Sequence, residues 1–249
     1  MGAERCAVTA LGEHLERLEE RIAAACRAVG RDRAGIELMA VSKTFPAEAM
    51  VEAASLGLTL FGENRVQEFA GKAASLGAKR GSMDCHLIGH LQSNKAARAA
   101  ELFDGVDSLD SVRLAERLNA AAGQFSKRLP VLIEVKLSPE AAKTGVEPES
   151  EEAARLLERL PDWPHLVARG LMTVAPWGVA EEVTRGCFAS LRQWRDRWAA
   201  AYPRLGFDVL SMGMSGDFAL AIAEGATRIR LGTALFGARS PQTPGVEQT

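Results

Sequence analysis

The chain has 249 residues, which is enough for one large α/β domain or for two small ones. Lysine and arginine number 30 against 32 for aspartate and glutamate, so no net field would attract nucleic acid or an anionic membrane. No apolar run is long enough to span a bilayer, and the N-terminus lacks the apolar stretch of a signal peptide. Four scattered cysteines without a C-x-x-C pair predict reduced thiols in a cytoplasmic protein.

A helix with one apolar face is predicted over residues 9–30. Its apolar side chains recur at steps of three and four residues, as in a helix that is buried along one side. They are Leu11, Leu15, Leu18, Ile22, Cys26 and Val29. Because this helix precedes the first strand, we expect it to lie against the outside or the bottom of the fold.

From Ile36 onward, strands and helices alternate along the chain. The predicted strands cover 36–42, 58–62, 84–89, 104–108, 130–136, 165–173, 207–212 and 227–231, and the predicted helices between them cover 46–56, 63–76, 93–102, 110–123, 149–160, 181–200 and 215–224. Such alternation requires a parallel sheet, and eight strands at this length predict a single closed (β/α)8 TIM barrel with an extra N-terminal helix. A doubly wound open sheet is the alternative, although no G-x-G-x-x-G motif follows the first strand.

The composition shows no break that would mark a second domain. No internal repeat beyond the βα unit and no low-complexity segment interrupts the chain. We therefore expect one domain over residues 1–239, without a C-terminal β domain, followed by a polar and disordered tail over residues 240–249.

A lysine follows the first predicted strand. The strand is an apolar run between Gly35 and Pro46, and Lys43 stands where it gives way to the next helix. A partly desolvated amine loses its proton more easily and can then attack a carbonyl carbon to form a Schiff base. From this window alone, a solvated loop lysine is the simpler alternative.

In a barrel, the active site is built from the loops that follow the strands. Polar and glycine residues collect at those positions, whereas the strands themselves are apolar. Besides Lys43, they include Asn64, His86, Gly89, Ser108, Lys136 and Thr173. This distribution predicts a ligand site at the upper rim.

The ends of the last two predicted strands are the most informative. Ser215 stands at a helix N-cap position, and a second short segment opens at Gly232 and Thr233. Unpaired N–H groups at a helix start favour an anion, and barrels commonly bind phosphate after strands seven and eight. The alternative is that Ser215 and Asp217 only cap the helix start.

Arg230 is a second unusual charge, because it alternates with Ile229 and Leu231 within a short strand. Its side chain should point either into the barrel or toward the helices. A guanidinium stays charged and needs an acceptor. An ordinary ion pair would supply one, and donation to a ring nitrogen of a bound ligand is the other interpretation.

Segments spread over residues 36–239 together resemble the pyridoxal phosphate homeostasis proteins, which are single-domain relatives of the alanine racemase N-terminal barrel. The matching segments follow the family's order. They are 40–46 (AVSKTFP), 61–68 (FGENRVQE), 86–95 (HLIGHLQSNK), 143–146 (KTGV), 170–173 (GLMT), 210–217 (LSMGMSGD) and 230–237 (RLGTALFG).

The resemblance implies a role for each matched position. Lys43 would hold pyridoxal 5′-phosphate (PLP) as a Schiff base, Asn64 would lie beside the cofactor, and Arg230 would face the pyridine nitrogen. The residues that would hold the phosphate are Ser211 and Ser215, with the backbone of Met212, Gly232 and Thr233. The chain departs from the usual family residues at Phe45, Arg65, Cys85, His90 and Glu134.

The resemblance also bears on whether the site turns over a substrate. An arginine opposite the ring nitrogen would keep it unprotonated and weaken the cofactor as an electron sink. Alanine racemases take a second base, a tyrosine, from a C-terminal domain of the partner subunit, and no such domain is predicted here. The only tyrosine, Tyr202, lies at a helix end before Pro203 and is expected far from the rim.

Three functions are therefore compared. The first is a PLP-binding protein that buffers or delivers the cofactor without turnover, with PLP-dependent apoenzymes or PLP-synthesis enzymes as candidate partners. The second is a racemase-like or lyase enzyme of low activity, which would use Lys43 with Lys136 or His86 as acid and base. The third is a Schiff-base aldolase-type barrel that holds a sugar phosphate.

We expect the protein to be a monomer. We also expect no metal site, because His86 and His90 straddle a strand end without clustered ligands.

Overall fold

Eight parallel strands pair in chain order, and the eighth pairs with the first, so the sheet closes into a barrel. The computed structural model describes residues 9–137 and 144–237. The strands are β1 (Glu37–Val41), β2 (Leu60–Glu63), β3 (Asp84–Leu87), β4 (Gly105–Leu109), β5 (Leu129–Glu134), β6 (Leu166–Met172), β7 (Val209–Ser211) and β8 (Arg228–Leu231). The predicted (β/α)8 barrel is confirmed, and the open-sheet alternative is wrong.

Helices surround the barrel at nearly the predicted positions. They are α1 (Ala10–Ala28), α2 (Ala47–Ser55), α3 (Val66–Leu76), α4 (Ala96–Leu102), α5 (Val112–Gln124), α6 (Glu151–Arg159), α7 (Glu181–Ala201), α8 (Phe218–Ala223) and α9 (Thr233–Phe236). None of the helices in these described ranges is long and apolar enough to cross a membrane. The predicted tail over residues 240–249 lies outside the described residues.

The N-terminal helix packs on the outside of the barrel, as expected. The hydroxyl oxygen of Thr9 accepts a hydrogen bond from the backbone N–H of Gly12 and thereby caps the start of α1. The helix lies against α8 and α9. Arg31, which follows its C-terminus, donates to the carbonyl of Ile222 at 2.7 Å, and His14 contacts the carbonyl of Leu235 at 3.0 Å. These contacts tie the start of the chain to the last two βα units.

The core between strands and helices consists of side chains that point outward from the sheet. Phe69 of α3 stacks on Phe103 with ring centroids 4.7 Å apart, and both rings are buried. On α7, Trp194 and Trp198 lie 5.7 Å apart and pack against this same core. The tryptophan pair therefore belongs to the packing of α7 against the barrel.

Charged side chains meet at the amino-terminal end of the barrel, where they line a cavity of about 310 Å³. One oxygen of Asp107 contacts Nδ1 of His86 at 2.7 Å, and the other accepts from Nη1 of Arg228 at 2.9 Å. Arg228 also donates to Glu37 at 2.6 Å, and Asp84 contacts Nε2 of His86 at 3.1 Å. The charges alternate in sign along this network, in which Glu37 and Asp84 are exposed and the other three side chains are buried.

The position of His86 corrects its predicted placement among the rim residues. His86 is the third residue of β3, and its ring points into the barrel toward Asp84 and Arg228, the first residues of β3 and β8. Gly105 makes room for the ring, because a Cβ at that position would lie 2.6 Å from Nε2 of His86. His86 is therefore at the end of the barrel opposite to the predicted site and cannot serve there as an acid or base.

The network keeps His86 protonated over the neutral range. Burial alone would lower the pKa of His86, but the charge of Asp107 and hydrogen bonds to Asp107 and Asp84 outweigh it and raise the pKa to about 9. Burial would likewise raise the pKa of Asp107, yet His86 and Arg228 hold it below its ordinary value. Imidazolium, guanidinium and carboxylate thus coexist in the cavity wall.

This network predicts a pH dependence of stability at high pH. The folded pKa of His86 is raised above the ordinary value of 6.5, so its contribution is complete below that value and is lost as the pH rises through about 9. We expect the free energy of unfolding to fall by roughly 3 kcal/mol across this window, relative to His86→Gln. Urea titrations of both proteins at pH 6, 8 and 10 measure the difference. Parallel pH profiles for the two proteins would contradict the ion pairs.

Candidate functional site

The predicted site residues collect at the carboxyl end of the barrel. Lys43 follows β1 by two residues and is half-buried in a turn. Its neighbour Phe45 stacks on Phe236 of α9, with ring centroids 4.9 Å apart. A Cβ at Gly232 would lie 3.2 Å from the carbonyl oxygen of Val41. The turn that carries Lys43 therefore adjoins the segment after β8.

The loops after β7 and β8 lie side by side, as expected for a phosphate site. The hydroxyl oxygen of Ser215 accepts a hydrogen bond from the backbone N–H of Ala234 at 3.3 Å, which joins the two loops. Ser215 does not cap α8, because that helix begins at Phe218 with Asp217 at its N-cap position. The capping alternative for Ser215 is thus wrong, whereas Asp217 accepts from the N–H of Met214.

Several backbone N–H groups of these two loops donate no hydrogen bond to any residue in the described ranges. They belong to Ser215, Gly216, Gly232 and Thr233. Unpaired backbone donors from adjacent loops suit an anion with several acceptor oxygens, such as a phosphate. The donor set therefore fits the phosphate group that the sequence predicts.

Met212 and Ser211 have other partners. The N–H of Met212 donates to the carbonyl of Arg228 at 3.1 Å as part of the pairing between β7 and β8. This N–H is therefore not available to a phosphate, so the predicted phosphate contact of Met212 is not supported. The hydroxyl of Ser211 is fully buried and accepts from Nη1 of Arg230 at 2.9 Å. Ser211 therefore lies below the loops and orients the arginine.

Arg230 points into the barrel and bonds neutral oxygens. Its Nη1 donates to the carbonyl of Ser211 at 2.7 Å, and its Nη2 donates to the carbonyl of Thr173 at 2.8 Å. Its Nε finds no acceptor in the part of the chain that the structure describes. Burial lowers the pKa of Arg230, but a guanidinium remains charged at neutral pH. The ion-pair interpretation of Arg230 is wrong, since its partners are carbonyls and a hydroxyl.

Asn64 is held by close packing of the loops after β2, β3 and β4. It is half-buried, directly after Glu63 at the end of β2. Gly89 lies against its backbone, because a Cβ at Gly89 would lie 2.9 Å from the Asn64 Cα and would overlap its carbonyl oxygen. The carbonyl of Gly89 in turn accepts from the hydroxyl of Ser108 at 2.8 Å. The glycine thus permits the approach that places Asn64 at the rim.

Two buried acids at this end of the barrel were not recognised as partners of the site from the sequence. Glu63 accepts from the hydroxyl of Ser42 at 2.7 Å and from Nζ of Lys72 at 2.8 Å. Glu134 accepts from the hydroxyl of Thr144 at 2.9 Å. Burial raises the pKa of both carboxyl groups, and hydrogen bonds from these partners oppose the rise. The sequence feature that could have identified both residues is an acidic residue at the end of an apolar strand, where its side chain would be buried.

The remaining candidates are distributed as follows. Lys136 follows β5 at the same end of the barrel, with its amine 3.4 Å from a carboxylate oxygen of Glu147. His90 contacts Asp110 at 3.2 Å and is half exposed. Tyr202 ends α7, which places it at the opposite end from Lys43, as expected. Within residues 9–137 and 144–237, no group of three or more His, Cys, Asp or Glu side chains is arranged to bind a metal. Lys143 of the predicted 143–146 segment lies outside those ranges.

Comparison with known proteins agrees with this geometry. The family model for the alanine racemase N-terminal domain matches residues 14–240. The chain is 41% identical to the pyridoxal phosphate homeostasis protein of Pseudomonas aeruginosa, covering 95% of this chain and 99% of that protein. It is 40% identical to the protein of the same name from Escherichia coli, covering 92% and 97%.

A solved structure matches as well. PipY of Synechococcus elongatus, with PLP bound, superposes with a TM-score of 0.81 at 40% identity, covering 91% of this chain and all of PipY. Barrel and family model together define a barrel of the alanine racemase N-terminal class. More narrowly, the identity of about 40% over nearly full length shows that the chain belongs to the pyridoxal phosphate homeostasis protein family.

The packing of Gly89 gives a prediction about this site. Gly89→Ala should destabilise the protein by about 1–3 kcal/mol and displace Asn64, because the added methyl meets backbone that cannot move aside. Gly71→Ala is the matched control, since Gly71 lies in α3 with no atom within 4 Å of an added Cβ. The control should be neutral or more stable by about 0.5–1 kcal/mol. Thermal unfolding of both variants measures the contrast, and equal effects would contradict the close approach.

Proposed function

We propose that this protein binds PLP covalently through Lys43 and buffers or delivers it without turning over a substrate. The observation that carries the proposal is the meeting, at one end of the barrel, of Lys43 and two loops with unpaired N–H groups. The PLP-bound structure of PipY, at 40% identity, supports the same ligand for this chain. Neither of the two curated relatives described above supports the third function considered, a sugar-phosphate aldolase.

Each part of the site then has a defined task. Lys43 would hold the aldehyde of PLP as a Schiff base, with release of one water. The N–H groups of Ser215, Gly216, Gly232 and Thr233 would hold the phosphate. PLP supplies an aldehyde and an electron-accepting ring. Arg230 would present its Nε–H to the ring nitrogen and disfavour protonation there, which weakens the electron sink.

The proposed lack of turnover rests on the positions of the proton-transfer groups. Racemisation needs a base on each face of the bound amino acid, and Lys43 supplies one. Tyr202 and His86 lie at the opposite end of the barrel. Lys136 is the remaining candidate, and its place on the same end as Lys43 favours the alternative of a slow racemase or lyase. Incubating the holoprotein with alanine and serine, followed by chiral chromatography, separates the alternatives, because turnover above the rate of free PLP would reject a pure carrier.

Delivery requires a partner that approaches the mouth of the barrel. We propose PLP-dependent apoenzymes or PLP-synthesis enzymes as partners of a monomeric carrier. Trp177, which is 92% exposed, lies in the loop after β6 beside Gly216 and Asp217 and would be the first side chain to meet them.

The three described cysteines are buried free thiols, and burial raises the pKa of Cys85 to about 12. Unreactive thiols of this kind suit the cytoplasmic location that we propose.

The Schiff-base assignment predicts the behaviour of Lys43→Ala. The variant should lose the visible absorbance band and the borohydride-fixed adduct, while the melting temperature of the apo form changes by less than about 4 °C. Lys136→Ala is the control and should retain the adduct. Peptide mapping by mass spectrometry after borohydride reduction locates the modified lysine. An adduct on a lysine other than Lys43 in the unchanged protein would overturn the proposal.

The phosphate assignment predicts the behaviour of Ser215→Ala. Loss of this hydroxyl should weaken PLP retention, measured as the release rate on dilution, more than it lowers the melting temperature of the apo form. Ser111→Ala is the matched control, because Ser111 caps α5 by accepting from the N–H of Leu114 at 3.3 Å and follows β4, which lies across the barrel from β8. The control should cost about 1 kcal/mol of stability without loss of PLP. If Ser215→Ala lowers stability and retention in the same proportion as Ser111→Ala, the phosphate role fails.

A further inference from the structure

Residues 42–45 form a turn, the Lys43 turn, whose backbone is held in an unusual conformation. Thr44 has φ +67°, in the left-handed region that a β-branched residue rarely adopts. The backbone N–H of Thr44 donates to Oε1 of Glu68 at 2.7 Å. On the other side of Lys43, the N–H of Ser42 donates to the carbonyl of Gly62 at 3.1 Å. Both neighbours of Lys43 are thus tied to β2 or α3.

The charged amine of Lys72 stabilises these two backbone hydrogen bonds. The amine of Lys72, in α3, donates to the carbonyl of Ser42 and to Oε1 of Glu63, both at 2.8 Å. It also lies 3.6 Å from the carboxylate of Glu68, one helical turn earlier. Glu63 is fully buried and Lys72 is nearly so. One ammonium therefore joins the carbonyl before Lys43 to the carboxylate that binds the N–H after it.

We infer that Lys72, Glu63 and Glu68 form a clamp that positions Lys43 by holding the Lys43 turn in its left-handed conformation. The inference rests on the proposed function, because positioning matters only if Lys43 forms the covalent bond. The clamp residues act through the backbone of Ser42 and Thr44, so they are positioning residues. None of them is among the groups that we assign to the phosphate.

The geometry explains why the clamp is needed. The backbone at residues 42 and 44 sets the direction of the bond from Cα to Cβ of Lys43. If Thr44 lost its acceptor, its φ would relax to a negative value, and the amine would be carried away from the loops after β7 and β8. Preorganisation of this kind affects the rate of bond formation more than the binding of a ligand that makes no bond to the lysine.

The test compares a ligand that can react with one that cannot. Apo protein is mixed with PLP, and the rate at which the visible band forms is measured by stopped flow. Pyridoxine 5′-phosphate, which carries the same phosphate but no aldehyde, gives the non-covalent affinity. Glu68→Ala and Lys72→Met should slow band formation by roughly 10- to 100-fold and leave the affinity for pyridoxine 5′-phosphate unchanged. The exposed neighbours Gln67→Ala and Lys79→Met are the controls and should change neither quantity.

A second substitution tests the conformational cause. Thr44→Gly removes the penalty for positive φ but not the freedom of the released turn, so combining it with Glu68→Ala should recover part of the lost rate. Lys72→Arg should retain part of the rate, since it keeps a cation at the same place. Melting temperatures of the apo variants identify any that fail to fold, and the induced circular dichroism of the bound cofactor reports its orientation.

The outcomes distinguish a failure of the clamp from a failure of the proposed function. Unchanged rates in both clamp variants, equal losses for both ligands, or no recovery with Thr44→Gly would overturn the clamp. A lack of any adduct on Lys43 in the unchanged protein would instead overturn the proposed function. Slow reaction with intact affinity, restored by Thr44→Gly, supports the clamp.

Discussion

Closure of the barrel between β1 and β8 is the constraint on which the site depends. The two strands pair in parallel from Glu37 opposite Arg228 to Ala40 opposite Leu231. Because parallel strands end at the same edge, the turn after β1 is brought against the segment after β8, although these lie near opposite ends of the sequence. The stacking of Phe45 on Phe236 and the close approach of Gly232 to Val41 fix this contact. An open sheet would leave the proposed covalent anchor and the proposed phosphate site on separate edges.

Strand β8 also shows how the two ends of one barrel acquire different electrostatics. Arg228 and Arg230 are two residues apart and both point into the barrel, because side chains alternate along a strand. Arg228 meets carboxylates at the amino-terminal end, where its charge is neutralised by Asp107 and Glu37. Arg230 meets carbonyls and a hydroxyl, which orient the guanidinium without cancelling its charge. A guanidinium without an ion-pair partner among the described residues therefore lies at the carboxyl end, beside the predicted phosphate loops.

The sequence was sufficient for those features that follow from local periodicity and from single residues at strand ends. The eight βα units, the N-terminal helix, Lys43 and the two adjacent loops all belong to this class. His86 was misplaced because its height in the barrel depends on the stagger of neighbouring strands, which a strand assignment from sequence does not give. Met212 was misassigned because which N–H groups the sheet itself uses depends on register, which sequence does not reveal.

The clamp was beyond sequence reasoning for a different reason. Glu63, Glu68 and Lys72 are ordinary residues of a strand end and a helix, and charged residues of that kind are usually solvated. Only the crossing of α3 over the end of β1 brings them to the backbone of the Lys43 turn. The signal that remained in the sequence, a Glu-x-x-x-Lys spacing from 68 to 72, is common on exposed helix faces and so carried little information.

The magnitudes suggest why this turn is held by charge instead of by glycine. A β-branched residue in the left-handed region costs on the order of 1–3 kcal/mol, and a hydrogen bond to a charged group contributes about 1.5–3 kcal/mol. The bond from Thr44 to Glu68 is therefore of the size needed to offset the strain, and neither dominates. A glycine at position 44 would remove the strain but would also let the turn sample many conformations before the ligand arrives. A strained threonine under the inferred clamp would keep Lys43 in one direction in the free protein, as the proposed covalent carrier would require to reload at low ligand concentration.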